Sequence, residues 1–159
     1  MPVSDLDYRE HDRRFWEEEL EDFVPPRIFD AHFHLFRNSD MVENKLPDGA
    51  KHVSFGDTDF SAARDWAATV YPNREFHFLN LGTPLPGIDV ASHNQWIVDQ
   101  MRSDPKSRIN RLVTPQCTTD DIKRDLTTHA QIVGFKPYRF FSVTGDIAQC
   151  RIHEFLPFE

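Results

Sequence analysis

RIFDAHFHLF, residues 27–36, decides the fold. It follows Pro25-Pro26, is rich in Phe, Ile and Leu, and reads as a buried β-strand. Side chains alternate faces along a strand, so Asp30, His32 and His34 are expected on one face and Phe29, Ala31, Phe33 and Leu35 on the other. Three ionisable groups in a row on a covered face are costly unless something pairs them, and a divalent cation is a partner suited to all three. Two imidazoles at i and i+2 can turn their ring nitrogens to a common point, as neutral ligands of zinc or another transition metal must. Asp30 is read either as a carboxylate that orients an imidazole or as a cap for backbone groups beside the strand. The plainer alternative is that the histidines donate hydrogen bonds in the interior or face solvent.

Working outward, residues Asp5 to Val24 carry Trp16, Leu20 and Phe23 at roughly helical spacing and predict one amphipathic helix, part of an N-terminal extension over residues 1–26. Beyond the strand, Arg37 to Asp59 is loop-like, with Asn38, Pro47, Gly49 and Gly56, and loops of that length are often functional. Helices are then expected near Phe60 to Tyr71 and Val90 to Met101, the second with Trp96, Ile97 and Met101 on one side. A third is expected after Thr118 or Thr119, with Asp121 in its first turn. Strands are expected near Phe76 to Leu81, Ile109 to Thr114 and, as QIVGFKPY, 131–138. A last helix is expected over Asp146 to Leu156, stopped by Pro157. About four strand-plus-helix units in alternation predict a single α/β domain over 1–159, with a parallel sheet and right-handed crossovers.

The bulk numbers exclude some function classes. With 26 acidic against 18 basic residues the net charge is -8, which leaves no source for the phosphate attraction that nucleic-acid binding needs. The first twenty residues are mostly polar, no later stretch is long and apolar enough to span a bilayer, and a soluble, cytoplasmic protein is expected. Cys117 and Cys150 make no CxxC pair and are read as unpaired thiols.

The run Phe29-Asp30-Ala31-His32-Phe33-His34, at the end of the first strand and ahead of a long loop, resembles the D-x-H-x-H metal motif of the amidohydrolase superfamily. Gly134-Phe135-Lys136-Pro137-Tyr138, ending the fourth strand, and Glu154-Phe155-Leu156-Pro157 resemble the amidohydrolase-related proteins. The likeness extends over most of residues 27–159. It implies the N-terminal half of a TIM-like (β/α)8 barrel, preceded by a helix, with His32 and His34 on one or two divalent ions, zinc in the first instance. It also implies a metal-activated water attacking a C–N or C–O bond of a small-molecule substrate. The remaining ligands and a catalytic aspartate would come from strands five, six and eight, so the complete site is expected in a longer protein.

Lys136 matches the position of a fourth-strand lysine that some members carboxylate to bridge two metals. It is read that way, as a cation that holds a substrate carboxylate, or as an ion pair with an acidic neighbour. Arg37, Tyr138 and Arg139 follow the two key strands and are expected at the mouth, in contact with an anionic substrate, against surface pairing for each arginine. His11, His52, His93, His129 and His153 are read as solvated, and His77 is left undecided. Half a barrel exposes strand edges and an inner face, which predicts a homo-oligomer in which two copies bring four histidines to one mouth. The rival readings are a metal-dependent decarboxylase or isomerase of the same fold, and a non-catalytic α/β module that binds a ligand at its strand ends.

Overall fold

The computed structural model describes residues 8–42, 56–145 and 148–156. Asp5, Pro47, Gly49, His52, Asp146, Ile147 and Pro157, named above, lie outside the described residues. Four strands, β1 (Arg27–Leu35), β2 (Glu75–Gly82), β3 (Arg108–Val113) and β4 (Ile132–Pro137), form one sheet in the order β1-β2-β3-β4, and every pairing is parallel. Helix α1 is Glu10–Phe15, and α2 (Phe60–Val70), α3 (Val90–Met101) and α4 (Thr119–Thr128) separate the strands. The chain is thus an α/β fold with helices and parallel strands in alternation. No helix among the described residues is long and apolar enough to cross a membrane.

Each long helix starts on a side chain that takes up an otherwise unpaired backbone N–H. Asp59 accepts from Ala62 N–H at 2.8 Å, Asp89 from Ser92 N–H at 2.9 Å, and Thr118 from Asp121 N–H at 3.1 Å. At α4 the cap is reciprocal, because the Asp121 carboxylate accepts in turn from Thr118 N–H. The Thr118 hydroxyl and backbone, with Arg124, hold that carboxyl down to about 2.

One face of the sheet is covered by α2 and α3. Phe78 lies at the centre with Phe33, Phe76 and Phe60 rings 4.8, 4.9 and 5.7 Å away, and Ala63, Ala67, Ile97, Met101, Ile109 and Ile132 complete the core. The register places Phe29, His34, Leu81, Asn110, Leu112, Gly134 and Lys136 on the opposite face. Leu81 and Leu112 are buried there, whereas Phe29, on the edge strand, is 49% exposed. A Cβ at Gly82 would overlap the Leu112 side chain, so a glycine there is what lets Leu112 seat.

Three expectations need correction. The strict alternation on β1 fails, because the three steps from Asp30 to Phe33 oppose only two on β2, from Phe78 to Asn80. The extra residue is a β-bulge that reverses the pleat. Asp30 therefore shares the core face with Phe33 and Leu35, while His34 shares the open face with Leu81. The N-terminal helix is short, and it widens into a π-turn over Trp16–Leu20 in which Glu21 N–H donates to Trp16 O at 2.9 Å. The wider turn anchors Trp16, 3% exposed, edge-on to Tyr71 and under the Arg74 guanidinium. It also turns the following side chains away from the α-helical register, and Phe23 is 83% exposed rather than part of the apolar side. Finally, the segment expected as a last helix is a 3₁₀ turn at Ile152–Glu154 among the described residues, because Arg151 is extended and Glu154 O accepts from Val143 N–H.

Candidate metal centre

The bulge builds the histidine pair. His32 N–H has left the strand ladder and donates to Asp30 Oδ1 at 2.9 Å, so Asp30 serves as the backbone cap rather than as an imidazole's partner. With the pleat shifted, the two rings converge: the Nε2 atoms stand 3.2 Å apart, with ring centroids at 5.1 Å and planes tilted by 59°. Two nitrogens each about 2.0–2.1 Å from one zinc ion at a tetrahedral angle are roughly 3.3 Å apart. The spacing therefore fits two positions of one ion. It also admits a single N–H···N hydrogen bond if one ring carries its proton on Nε2.

His32 is exposed and His34 half-buried. Burial first, and then the charge of His32, push the His34 imidazole below its ordinary value, which keeps it neutral and able to ligate. Its Nδ1 is buried without a partner in hydrogen-bond geometry, although the backbone at Gly82 and Leu81 lies near enough to favour the charged ring. Among the described residues no group of three His, Cys, Asp or Glu side chains gathers to complete an ion's ligand set.

A second polar cluster holds the strand end that carries the pair. Arg37, placed at the mouth by the sequence, grips the buried Asp40 bidentately, Nε to Oδ2 at 2.8 Å and Nη2 to Oδ1 at 2.7 Å. Its guanidinium also sits 5.0 Å over the Trp96 ring. Asp40 further accepts from Ser92 Oγ and pairs with His93 Nδ1, both at 2.9 Å. His93 is fully buried, which corrects the solvated reading. Its position one helical turn from Trp96 and Ile97, on the buried side of α3, was the available signal. Thr83 closes the chain of contacts: its N–H donates to His93 Nε2, and its Oγ–H donates to Leu35 O at 2.7 Å, one residue beyond His34. Burial alone would raise the Asp40 carboxyl, but hydrogen bonds from Arg37, His93 and Ser92 outweigh it and hold Asp40 below its usual range. Burial pushes His93 down against the pull of Asp40, so the cluster is Arg⁺, Asp⁻ and neutral His.

On the far side of the open face, Lys136 Nζ lies 5.2 Å over the Tyr138 ring. Its charge is close enough to disfavour protonated His34. Tyr138 is half-buried, and that burial raises its phenol. Arg139 is exposed in a 3₁₀ turn over Arg139–Phe141. The structure thus brings His32, His34, Lys136 and Tyr138 to the strand ends, while Arg37 is engaged in the cluster beneath them. His77 is structural: Nδ1 meets Asp104 Oδ2 at 2.7 Å and Nε2 meets Glu75 Oε1 at 3.1 Å, near the opposite strand ends. His11 and His153 are exposed, His129 is half-buried, and both cysteines are unpaired. Comparison of the chain with protein-family models, curated proteins and solved structures found no match.

Proposed function

We propose that this chain carries the first-strand half of a metal-dependent hydrolase site of the amidohydrolase type, in the N-terminal half of a (β/α)8-like barrel. The observation that supports it is the 3.2 Å approach of the His32 and His34 Nε2 atoms at the C-terminal end of a parallel strand, the end of such sheets where ligands bind. His32 and His34 hold one divalent ion, zinc in the first instance, through Nε2, with both ring protons on Nδ1. Bound there, the ion supplies Lewis-acid activation of water for attack on a C–N or C–O bond. The bulge, locked by Asp30, aims the two rings. The Asp40–His93–Thr83 contacts hold the strand end against α3, so that the rings keep their spacing.

Two protein ligands bind an ion weakly, since catalytic zinc usually has three. The reading therefore requires further donors from beyond the described residues. The edges of β1 and β4 and the open face between them are where a second copy, or a continuation of the barrel, packs and contributes them.

Equilibrium dialysis against zinc, followed by metal analysis, tests the reading. Zinc is expected in the wild-type chain and absent from the His32→Ala/His34→Ala double variant, and hydrolysis of a panel of small amides and esters is expected only where the remaining donors are supplied as well. Equal zinc in both proteins removes the basis of the proposal.

A further inference from the structure

Near the end of β4 the open face carries a half-buried lysine that meets no carboxylate among the described residues. Among the described residues, the half-buried Arg37 and Arg111 each meet a carboxylate, and the half-buried Arg74 and Arg108 donate to backbone carbonyls. Lys136 is also half-buried and, among the described residues, meets neither, only the Tyr138 ring. A half-buried ammonium without an anion is costly to keep, and a neighbouring aromatic face offsets that cost only in part. The neighbouring row has a second unused polar group. Asn110 pairs with Gly134, two residues before Lys136 and on the same face, and a Cβ at Gly134 would strike Asn110 Oδ1. Glycine at that place leaves the amide room, and no hydrogen bond among the described residues engages it. Three ammonium donors and a side-chain amide therefore line one end of the face, and the histidine pair lines the other.

We infer that Lys136, backed by Tyr138 and flanked by the Asn110 amide, binds a carboxylate of the substrate. This deepens the reading above and rests on the histidine pair being the reacting end of the same mouth. The half-buried position of Lys136 favours a monoanion, since one lysine there balances one carboxylate. Spacing sets the size. Strands β1 and β4 are three spacings apart, about 14 Å at the backbone. Side chains reaching inward from both leave a gap suited to a small molecule with its scissile bond at the histidines and its carboxylate at the lysine.

The test titrates the full chain with N-acetylglycine, its neutral analogue N-acetylglycinamide and inorganic phosphate, following the Lys136 side-chain signals by NMR. Those signals are assigned by their loss in Lys136→Gln. The expected result is a saturating Lys136 shift with N-acetylglycine, at least tenfold tighter than with the neutral amide or phosphate. Calorimetry on the variants is expected to show at least a tenfold loss in Lys136→Gln and a change within about threefold in Lys136→Arg, which keeps the charge and guards against misfolding. Equal binding of the neutral amide, tighter binding of phosphate, or undiminished binding by a folded Lys136→Gln overturns the inference. Zinc binding, measured separately, reports on the histidine pair: zinc without carboxylate binding overturns only this inference, and carboxylate binding without zinc supports the anion site while removing the hydrolase reading.

Discussion

The backbone N–H of Thr83 donates to Nε2 of His93 at 3.1 Å, which fixes the proton of that buried imidazole on Nδ1, where it faces Asp40. A neutral histidine of defined tautomer thereby joins the end of β2 to α3 and to the segment that follows β1. The arrangement makes the strand ends sensitive to pH and to loss of Asp40.

His93 and His34 both have imidazoles held below their ordinary value, chiefly by burial. The unfolded chain then binds more protons than the folded one below about pH 6.5, so stability is complete above that pH and falls as the solution is acidified toward the folded values. Asp40, held low by its partners, adds a second loss below the ordinary carboxylate range. Urea unfolding between pH 7.5 and 5 is expected to show a falling midpoint, with a shallower slope in His93→Gln. A flat profile in wild type would contradict the assignment of neutral, buried histidines.

Asp40→Ala leaves the Arg37 guanidinium and the His93 Nδ1–H without their shared acceptor. Breaking a buried pair by removing one partner costs about 3–5 kcal/mol, and the partial exposure of Arg37 places this case at about 3. Chemical denaturation measures it, and a loss below about 1 kcal/mol would show that the cluster does not hold the strand end.

Gly82→Ala drives a methyl group into Leu112, which is fully buried. Overpacking of this kind costs about 1–3 kcal/mol. Combining it with Leu112→Ala should cost less than the sum of the two single changes, because the truncation removes the clash. Additive losses in denaturant midpoints would mean that the two side chains do not meet.

Asp30→Ala removes the acceptor for His32 N–H and unlocks the bulge. Stability should fall by about 1 kcal/mol, as for other backbone caps, and zinc affinity should fall with it because the rings lose their common aim. Weaker zinc binding with unchanged unfolding, or the reverse, would separate the cap from the site.

Much of this was legible in the sequence. Alternation of apolar runs with capped helices yields the parallel sheet, and α3 runs over the span its periodicity indicates, because Asp89 and the apolar side of Trp96, Ile97 and Met101 act on neighbouring residues. The bulge at Asp30–Phe33 was not legible, since strand periodicity assumes one residue opposite one, and only the partner strand shows where a residue is extra. The burial of His93 is hidden from the sequence for a related reason. Its burial depends on Asp40 and Thr83, 53 and 10 residues away in the chain, and no local window contains them. Arg37 lies at the expected end of the sheet, and a local i,i+3 pairing with Asp40 engages it there.

The most direct test of the central claim is a long-range ¹H–¹⁵N correlation spectrum of the histidine side chains during zinc titration. The account predicts that the Nε2 signals of His32 and His34 shift together at the same stoichiometry, with both protons on Nδ1. Movement of one ring alone, or a persistent N–H···N bond between the rings at saturating zinc, would contradict it.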